Sequence, residues 1–579
     1  KPAAKPKKAA PKAAPKKAAP KAAAPAPTPT ARATATPKPK AAPKPKAAVV
    51  VKEPVVSRLK VAIPPPQYQS LAMFDSVEGI LPAMEHVVGV NRESGAEDTS
   101  RLAEEWGMDA TGTIWTFKFR EGIPFHTAPD FSGAELGAVD MIKTLQVLGS
   151  DLSNRPSIWT NFGVESSNFA TEGLYTLKWT LNSPAASIPS WLSPQAPSGV
   201  ISADYFNLKG ENGYLTHPVG TGPWKFREVS FGQYLRYDRV EDHWRKTPEF
   251  KELEYLFAPE DATRLAMLLA QEVHISDVPR ALLPEAAQRG FKVVSGSLPG
   301  MTVFVFIGGQ YYDGERTYLR GPKKGNIEPL APGYDANDPF RDVRVREAMN
   351  ISIDKEAIIE AFWSGAAIPQ AQFSLTPVHK DHKDSWTPYP YDQAKARKLL
   401  AEAGYADGFE FTFETAKVGG VPEVPEVAEV LAQMWSEVGI KANLTELGSF
   451  SQIRSKYRAR DIGRYAYPVR YSINRFQTNT CYPMSNVSGG CGSPQWEYDA
   501  LDEIFINLQN AVTDADIQKY THEMGDFLYD NYVIVPIAFL YPQAAFDPSV
   551  ISESEPGFDR FMVDQGPTEG LEYVVPVYK

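Results

Sequence analysis

The chain has 579 residues, 43% of them hydrophobic, and its mean hydropathy is −0.31. This length and composition predict three or four domains, or one large multi-lobed body, with enough apolar residues for sizeable cores. No stretch approaches the roughly 18–20 consecutive apolar residues that a membrane-spanning helix needs. The most apolar segment, residues 532–542, is shorter and contains Pro536, so we interpret it as a buried strand.

The net charge of −10 conceals two opposite parts. Residues 1–48 hold twelve lysines and one arginine with no acidic residue, so subtracting those thirteen from the 60 basic residues leaves 47 against 70 acidic ones. Because phosphate contacts need a positive surface, this acidic body disfavours nucleic acid as a partner.

The basic part is a Lys/Ala/Pro-rich segment that we assign to residues 1–50 and predict to be a disordered tether. Twelve prolines interrupt helix formation, and nothing in the segment can form a core. Fully extended, it could reach on the order of 150 Å. A spacer that holds the body off a surface, including a membrane tether, is the favoured function. An inert tail and a nucleic-acid arm are the alternatives.

The predicted elements of the body are more β-rich in the first half and α/β in the second. The predicted strands are residues 57–65, 113–120, 173–182, a hairpin over 220–240, 272–278, 409–415 and 440–447. The predicted helices are residues 133–149, 261–271, one that begins after Asp392, and 426–439. The strand–helix–strand order over 409–447 predicts a parallel pair with a helical crossover, and therefore an α/β fold.

The two cysteines, Cys481 and Cys491, flank a Gly- and Ser-rich gap. Such a gap can close on itself, which favours a local disulfide and an oxidising compartment. Two free thiols are the alternative. Zinc is disfavoured because it would need two further ligands and no histidine lies beside the pair.

Motifs for catalysis or cofactors are missing from the sequence. It contains no phosphate-binding glycine loop, no dinucleotide fingerprint and no nucleophile elbow. The densest group of metal-ligand types is "HKDH", residues 379–382, but Pro377 and Pro388 flank it, which favours a solvated loop over a metal site. We therefore predict no enzyme, no catalytic residue, no cofactor and no metal.

A ligand site is suggested by "RYAYPVRYSINRFQTN", residues 464–479, where three arginines interleave with aromatic residues in an otherwise acidic body. Arginine pairs well with carboxylate or phosphate, and tyrosine offers a stacking surface. An ordinary strand followed by a loop is the alternative interpretation.

Several segments, in order along the chain, resemble motifs of the extracytoplasmic solute-binding proteins of family 5, the oligopeptide-, dipeptide- and nickel-binding class that supplies ABC importers. The best match is "LAEEWGMDATGTIWTFKFREGIPFH", residues 102–126, which predicts that His126 fixes a turn and is not a functional group. The other segments that resemble the family are 131–140, 217–226, 242–244, 261–275, 338–359 and 389–411.

This resemblance implies a two-lobed fold like that of periplasmic binding proteins (type II, cluster C), with an extra domain inserted in the first lobe. The implied boundaries are 51–85, 200–303 and 535–579 for the first lobe, 86–199 for the inserted domain, and 304–534 for the second lobe. The chain would cross between lobes near 300–310 and 530–542, and a ligand would bind reversibly between them.

The function that the resemblance implies is capture of a small solute or peptide for an ABC importer permease. We expect a monomer in the periplasm or on the extracellular face of the cytoplasmic membrane. A ligand-sensing receptor domain and a hydrolase on the same scaffold are the alternatives.

Peptide binders of this class hold the ligand's amino group with an aspartate, yet residues 467–479 contain no acidic residue. We therefore hypothesise a ligand with an anionic or hydroxyl-rich group. The predicted ligand-binding residues are Tyr68, Phe306, Tyr467, Arg470, Tyr471, Asn474, Arg475 and Tyr541.

Overall fold

The computed structural model describes residues 53–65, 81–91, 96–153, 156–194, 199–296, 298–321, 323–418, 420–473, 476–552 and 570–579. The predictions for the 1–50 tether and for Tyr68, Asn474 and Arg475 lie outside these residues. Within them, every helix is too short or too polar to cross a membrane.

The strands are numbered here in chain order. They are β1 (Arg58–Ile63), β2 (Gly89–Val90), β3 (Glu97–Asp98), β4 (Ala103–Met108), β5 (Ile114–Phe119), β6 (Phe169–Glu172), β7 (Thr176–Thr180), β8 (Trp224–Ser230), β9 (Tyr234–Arg239), β10 (Glu252–Phe257), β11 (Ile275–Ser276), β12 (Lys292–Ser295), β13 (Met301–Ile307), β14 (Arg316–Thr317), β15 (Ile327–Glu328), β16 (Ala367–Pro369), β17 (Phe409–Thr415), β18 (Ile440–Glu446), β19 (Tyr465–Ser472), β20 (Ile534–Leu540) and β21 (Gln543–Phe546).

The helices are referred to by their ranges. They are Ala138–Leu148, Pro156–Phe162, Ile188–Trp191, Ala203–Thr216, Asp261–Leu269, Leu283–Gln288, Val343–Ile351, Lys355–Trp363, Gln393–Glu402, Val424–Ser436, Phe450–Arg458, Phe476–Cys481, Asp499–Asn510 and Asp514–Asp530. The predicted cap is confirmed: the Asp392 carboxylate accepts a hydrogen bond from the Lys395 backbone N–H at 2.8 Å and satisfies a free N–H of the first turn.

The first sheet has seven strands in the order β12-β21-β11-β1-β10-β9-β8. The central strand β1 runs parallel to both β10 and β11, whereas β8 and β9 form an antiparallel hairpin, as the sequence predicts for 220–240. Strands from both ends of the body, β1 and β21, therefore meet in this sheet.

The second sheet has six strands in the order β16-β20-β13-β19-β17-β18. The parallel pair predicted for 409–447 is confirmed, since β17 pairs with β18 in parallel and the helix Val424–Ser436 connects them. The centre of the sheet is antiparallel, because β13 lies between β19 and β20.

The chain passes between the two sheets at residues 296–300 and again at 541–542. The predicted lobe boundaries 303/304 and 534/535 fall inside β13 and β20 of the second sheet. Alternating apolar residues indicate a strand but do not reveal which sheet it joins. The division into domains as a whole remains a prediction.

Pro536 lies inside β20, where a proline cannot donate to a neighbouring strand. It pairs with Phe304 at the point where the β13–β20 register shifts. A bulge at this position accommodates the missing N–H, which explains how the predicted buried strand can contain proline.

The 86–199 segment contains an antiparallel sheet in the order β4-β5-β7-β6. The alternation of "TIWTFKF" buries Trp115, Phe117 and Phe119 on one side. His126 follows β5 in the chain, and its Nε2–H donates to the Gly222 carbonyl at 2.8 Å. Burial lowers the pKa of His126 to about 4, so the ring is neutral and, as predicted, ties a turn to the glycine-rich segment before β8.

Alternation along β13 divides the second sheet between two cores. Met301, Val303, Val305 and Ile307 belong to a core shared with the helices Val343–Ile351 and Val424–Ser436. Phe304 and Phe306 belong to the core that continues into the first sheet and the 86–199 segment. One face of the second sheet is therefore turned toward the first.

Candidate functional site

Six aromatic rings cover this inward face of the second sheet and are called here the aromatic face. They are Phe304, Phe306, Phe373, Tyr467, Tyr471 and Trp496. Phe306 lies opposite Tyr467 in the β13–β19 register, and their ring centroids are 5.4 Å apart.

The rings touch one another edge to face. Tyr471 lies 5.3 Å from Phe304 and 5.8 Å from Phe306 and Phe373, and Phe373 lies 5.2 Å from Trp496. Such contacts fix the ring orientations and create a rigid apolar wall.

Polar atoms without partners border this wall. Among the described residues, no group hydrogen-bonds the Thr302 hydroxyl, the Gln372 and Gln495 side-chain N–H groups, the Asn479 side-chain oxygen or the Trp496 indole N–H, all of which are buried. Buried polar groups are nearly always hydrogen-bonded, because leaving one unpaired costs about 1–3 kcal/mol.

These atoms cluster around the aromatic face. Thr302 pairs with Tyr471 in the strand register, and Gln372 precedes Phe373 in the chain. Gln495 accepts a hydrogen bond from the Tyr467 hydroxyl at 2.9 Å, and Asn479 donates to the Ser472 carbonyl at 2.6 Å. Three of the unpartnered groups are N–H donors, so the surface is suited to a molecule rich in hydrogen-bond acceptors.

The predicted site residues divide into two groups. Phe306 and Tyr467 are fully buried within the aromatic face, whereas Tyr471 is half-buried. Arg470 pairs with Val303 in the register, so strand alternation places it on the opposite face from Tyr471. Tyr541 lies where the chain returns to the first sheet. A ligand contact for any of these residues remains a prediction.

The sequence reasoning missed half of the aromatic face. Phe304 shares the parity of Phe306 in "MTVFVFI", so strict alternation could have identified it. Phe373 and Trp496 come from connections far away in the chain and carry no pattern of their own. Only tertiary folding brings them to the sheet.

The contact between the two sheets that lies beside the chain crossings is called here the hinge side. Arg280, after β11, donates to the carbonyls of Gly420 and Tyr541, both at 3.1 Å, and forms an ion pair with Glu423 at 3.4 Å. The Trp363 indole N–H donates to the same Glu423 carboxylate at 2.6 Å. Both charges are nearly buried, with side-chain exposures of 7% and 10%.

The contacts far from the crossings in the chain are called here the rim contacts. They join the 86–199 segment to three residues that follow β13 in the chain, Arg320, Thr478 and Tyr482. Thr478 Oγ1 lies 3.1 Å from Ser190 Oγ, the Trp191 and Tyr482 rings meet edge to face at 5.8 Å, and Arg320 donates to the Pro184 carbonyl. These contacts form a second bridge next to the aromatic face, since the Tyr482 ring also meets the Tyr471 ring at 6.1 Å.

Cys481 and Cys491 are joined by a disulfide, with Cα atoms 5.2 Å apart. The bridge closes the loop that holds Tyr482 against both Tyr471 and Trp191. Residues 379–382 form a loop, as predicted, in which His379 Nδ1 accepts from the Asp381 backbone N–H at 3.2 Å. The described residues hold no group of three or more metal-ligating side chains.

Two sheets joined by two crossings, with a polar and aromatic face between them, define a two-lobed binding protein, and solved structures share this fold. A periplasmic binding protein DppA from Helicobacter pylori in complex with the peptide STSA is 17% identical, with a TM-score of 0.68, 91% of this chain and 99% of that chain covered. NikA from Brucella suis in complex with Fe(III)-EDTA is 18% identical, with a TM-score of 0.70 and coverage of 90% and 100%.

The chain belongs to the bacterial extracellular solute-binding proteins, family 5, whose model matches residues 99–479. It is 28% identical to "Heme-binding protein A" of Haemophilus influenzae over 79% of this chain and 82% of that protein. It is 26% identical to "Dipeptide-binding protein" of Pseudomonas aeruginosa over 77% and 81%. The resemblance stated from the sequence motifs, the α/β two-lobed fold and the solute-binding class are thereby confirmed.

Proposed function

We propose that this protein captures a peptide-like or other anionic organic solute between its two lobes and delivers it to the permease of an ABC importer. The first lobe is built on the first sheet and the second lobe on the second sheet. The observation that carries the proposal is the aromatic face with its ring of unpartnered polar atoms.

The aromatic face would supply non-directional contact with the carbon skeleton of the solute. Each of its rings can also accommodate a planar peptide group or a larger conjugated system. The N–H groups of Gln372, Gln495 and Trp496 would bind acceptor atoms such as carboxylate or carbonyl oxygens. A ligand that satisfies these groups removes an energetic penalty that the solute-free protein carries.

The relatives include proteins named for the binding of dipeptides, haem and glutathione, and one structural neighbour binds Fe(III)-EDTA. Dipeptides, haem, glutathione and EDTA all carry carboxylates, and a carboxylate-bearing organic solute fits the donor-rich site. None of these proteins is named as an enzyme. The sensing and hydrolytic alternatives therefore receive no support, and binding without covalent change is the proposed activity.

Delivery to a permease implies that the protein works on the outer side of the cytoplasmic membrane, in the periplasm or at the cell surface. The Cys481–Cys491 disulfide supports this proposal, because disulfides persist in oxidising compartments. Tethering through residues 1–50 and a monomeric state are further parts of the proposal.

A thermal-shift series with one dipeptide in four forms tests the chemistry of recognition. The forms are the free dipeptide, its N-acetyl derivative, its C-terminal amide, and the peptide with both ends blocked. We expect the free and N-acetyl forms to raise the melting temperature, because the site offers donors for a carboxylate. The amide should lose most of this effect.

Variants at the site provide the control. Trp496→Phe keeps a ring and removes one N–H donor, so it should weaken binding about tenfold if one hydrogen bond to a carboxylate is lost. Stabilisation by the amide but not by the N-acetyl form would contradict the proposed orientation. No shift from a panel of dipeptides, tripeptides, glutathione and haem would contradict the proposed solute class.

A further inference from the structure

Arg320 lies in the connection between β14 and β15, a hairpin outside both large sheets. Its aliphatic stem packs on Gly489, where a Cβ would lie 3.6 Å from Arg320 Cβ and Cδ. Its guanidinium donates to the Pro184 carbonyl of the 86–199 segment. The side chain therefore connects the hairpin of the second lobe to the 86–199 segment.

The hairpin is fixed to the second lobe. The Leu319 backbone N–H donates to the Val487 carbonyl at 2.8 Å, inside the loop closed by the disulfide. At the base of the hairpin, Arg316 makes a two-point contact with Asp499 at 2.9 and 3.1 Å. Arg320 is therefore held in position by its own lobe before it reaches Pro184.

The partner of Arg320 is unusual for a half-buried cation. Across the part of the chain that the structure describes, no carboxylate lies within ion-pair distance of its guanidinium, and its hydrogen bond goes to a backbone carbonyl. Burial without a compensating charge lowers its pKa to about 10. Separation of the lobes would return this cation to water and leave no buried charge unpaired.

We infer that Arg320 is a positioning residue for lobe closure, which joins the second lobe to the 86–199 segment. The inference rests on the proposed function, in which the lobes open and close around a solute. A single directional bond with no buried counter-charge favours the closed arrangement and still allows it to open. Arg320 would thus set how long a captured solute is retained.

A distance measurement between the lobes tests this inference without any solute. Spin labels would be attached to the full chain through Val139→Cys and Lys398→Cys. Val139 is 53% exposed on the helix Ala138–Leu148, and the Lys398 side chain is 75% exposed on the helix Gln393–Glu402. Both native cysteines are bonded to each other and would not take up label. Pulsed electron–electron double resonance then gives the distance distribution.

We expect the wild-type distribution to include the short distance of the present structure, and Arg320→Ala to lower the ratio of closed to open molecules roughly five- to tenfold, the loss of one charge-assisted hydrogen bond. Arg320→Lys keeps a charged donor and should recover part of the closed population. Lys324→Ala, an exposed residue of the same hairpin, should match the wild type. Lys324→Ala should keep the wild-type urea midpoint, and Arg320→Ala should lose no more unfolding free energy than the closure change itself, about 1.4 kcal/mol for a tenfold shift, because the open native form stays folded.

Equal distributions for Arg320→Ala and Lys324→Ala would overturn the inference, as would a wild type without the short distance. A loss of unfolding free energy for Arg320→Ala well above about 1.4 kcal/mol would show that the residue acts in folding beyond closure and would also overturn it. The proposed function is tested separately by the solute series. Failure of that series would leave the distance result intact, and the reverse also holds.

Discussion

The hinge side and the rim both connect the two lobes, but they do so with different chemistry. On the hinge side, the buried charges of Arg280 and Glu423 are paired with each other, and two chain crossings lie beside them. At the rim, a hydroxyl pair, one ring contact and one arginine–carbonyl bond meet between segments that are remote from the crossings. None of these three rim contacts pairs two opposite charges.

Because of this difference, the hinge-side contact should persist when the lobes open, whereas the rim contacts can separate. Removing one partner of a buried ion pair leaves an unpaired charge and costs several kcal/mol, so the hinge-side pair should persist in open and closed forms. Neutral contacts can exchange their partners for water at a net cost of about 1 kcal/mol each. A binding protein needs both properties, because its lobes must stay joined while the site opens.

The largest effect should follow from breaking the hinge-side pair. We expect Arg280→Ala to lower the free energy of unfolding by about 3–5 kcal/mol, because Glu423 would remain buried without its cation. Urea denaturation measures this loss. Arg316→Ala is the matched control: its pair with Asp499 is exposed, so its loss should be under about 1 kcal/mol. Equal losses would erase the distinction between buried and exposed pairs.

A second buried charge, in the second lobe, has no counter-charge among the described residues. Lys355 is 4% exposed, its Nζ has no hydrogen-bond partner among the described residues, and it lies 5.0 Å from the Tyr389 ring centroid. Burial lowers the pKa of Lys355 from 10.5 to about 7. Below pH 7 the amine is charged in both folded and unfolded chains, so the full penalty is present. This penalty falls as the pH rises from about 7 toward 10.5, because in this range the folded chain has lost the proton and the unfolded chain still binds it.

Lys355→Met should therefore stabilise the protein by about 2–4 kcal/mol below pH 7, after allowance for attraction to the Tyr389 ring. The gain should shrink as the pH approaches 10.5. Melting curves for both proteins at pH 6 and pH 10 measure this difference. A gain that is the same at both pH values would mean that packing, not the charge, is responsible.

A substitution at the aromatic face should stabilise the protein by a smaller amount. Thr302→Val replaces an unpartnered buried hydroxyl with a methyl group of similar shape, so it should stabilise the solute-free protein by about 1 kcal/mol. Thr144→Val is the control: that hydroxyl donates to the Asp140 carbonyl at 2.7 Å and accepts from the Ile201 N–H at 3.0 Å. The control should lose about 1 kcal/mol, and urea denaturation distinguishes the two signs.

How much of this organisation could be predicted from the sequence depends on the range of the interactions. Local patterns predicted the parallel pair over 409–447 and the cap at Asp392, because each depends on residues close in the chain. The structural role of His126 was predicted from the family resemblance, and its partner Gly222 lies 96 residues away. Motifs spread along the chain identified the family. The predicted lobe boundaries fall within β13 and β20, because strand periodicity does not specify the partner strand.

The candidate site was only partly within reach of such patterns. Phe306 was chosen from its location near a predicted crossing, Tyr467 and Tyr471 from the arginine- and aromatic-rich stretch 464–479, and the structure does bring them together. Arg470 was chosen from the same short stretch, but adjacent residues of a strand point to opposite faces. Trp496, Arg280 and Arg320 gain their roles from contacts with partners more than 100 residues away in the chain, which a single sequence does not display.

The smallest effect on folding should come from the rim. Ser190→Ala with Thr478→Val removes both members of the hydroxyl pair, so no buried polar group is left alone. We expect the free energy of unfolding to change by less than about 0.5 kcal/mol in urea. A loss of unfolding free energy above about 2 kcal/mol would mean that the rim contact is as permanent as the hinge-side pair, which would contradict the proposed difference between them.

We propose that the aromatic face holds a carboxylate-bearing organic solute through the acceptor atoms of that solute. Native mass spectrometry of the full chain, purified beside Trp496→Phe without refolding, tests it most directly. We predict an organic adduct with at least one carboxylate on the wild type, and clearly lower occupancy on the variant. An adduct of equal occupancy on both proteins, or a bare metal ion as the only adduct, would contradict the claim.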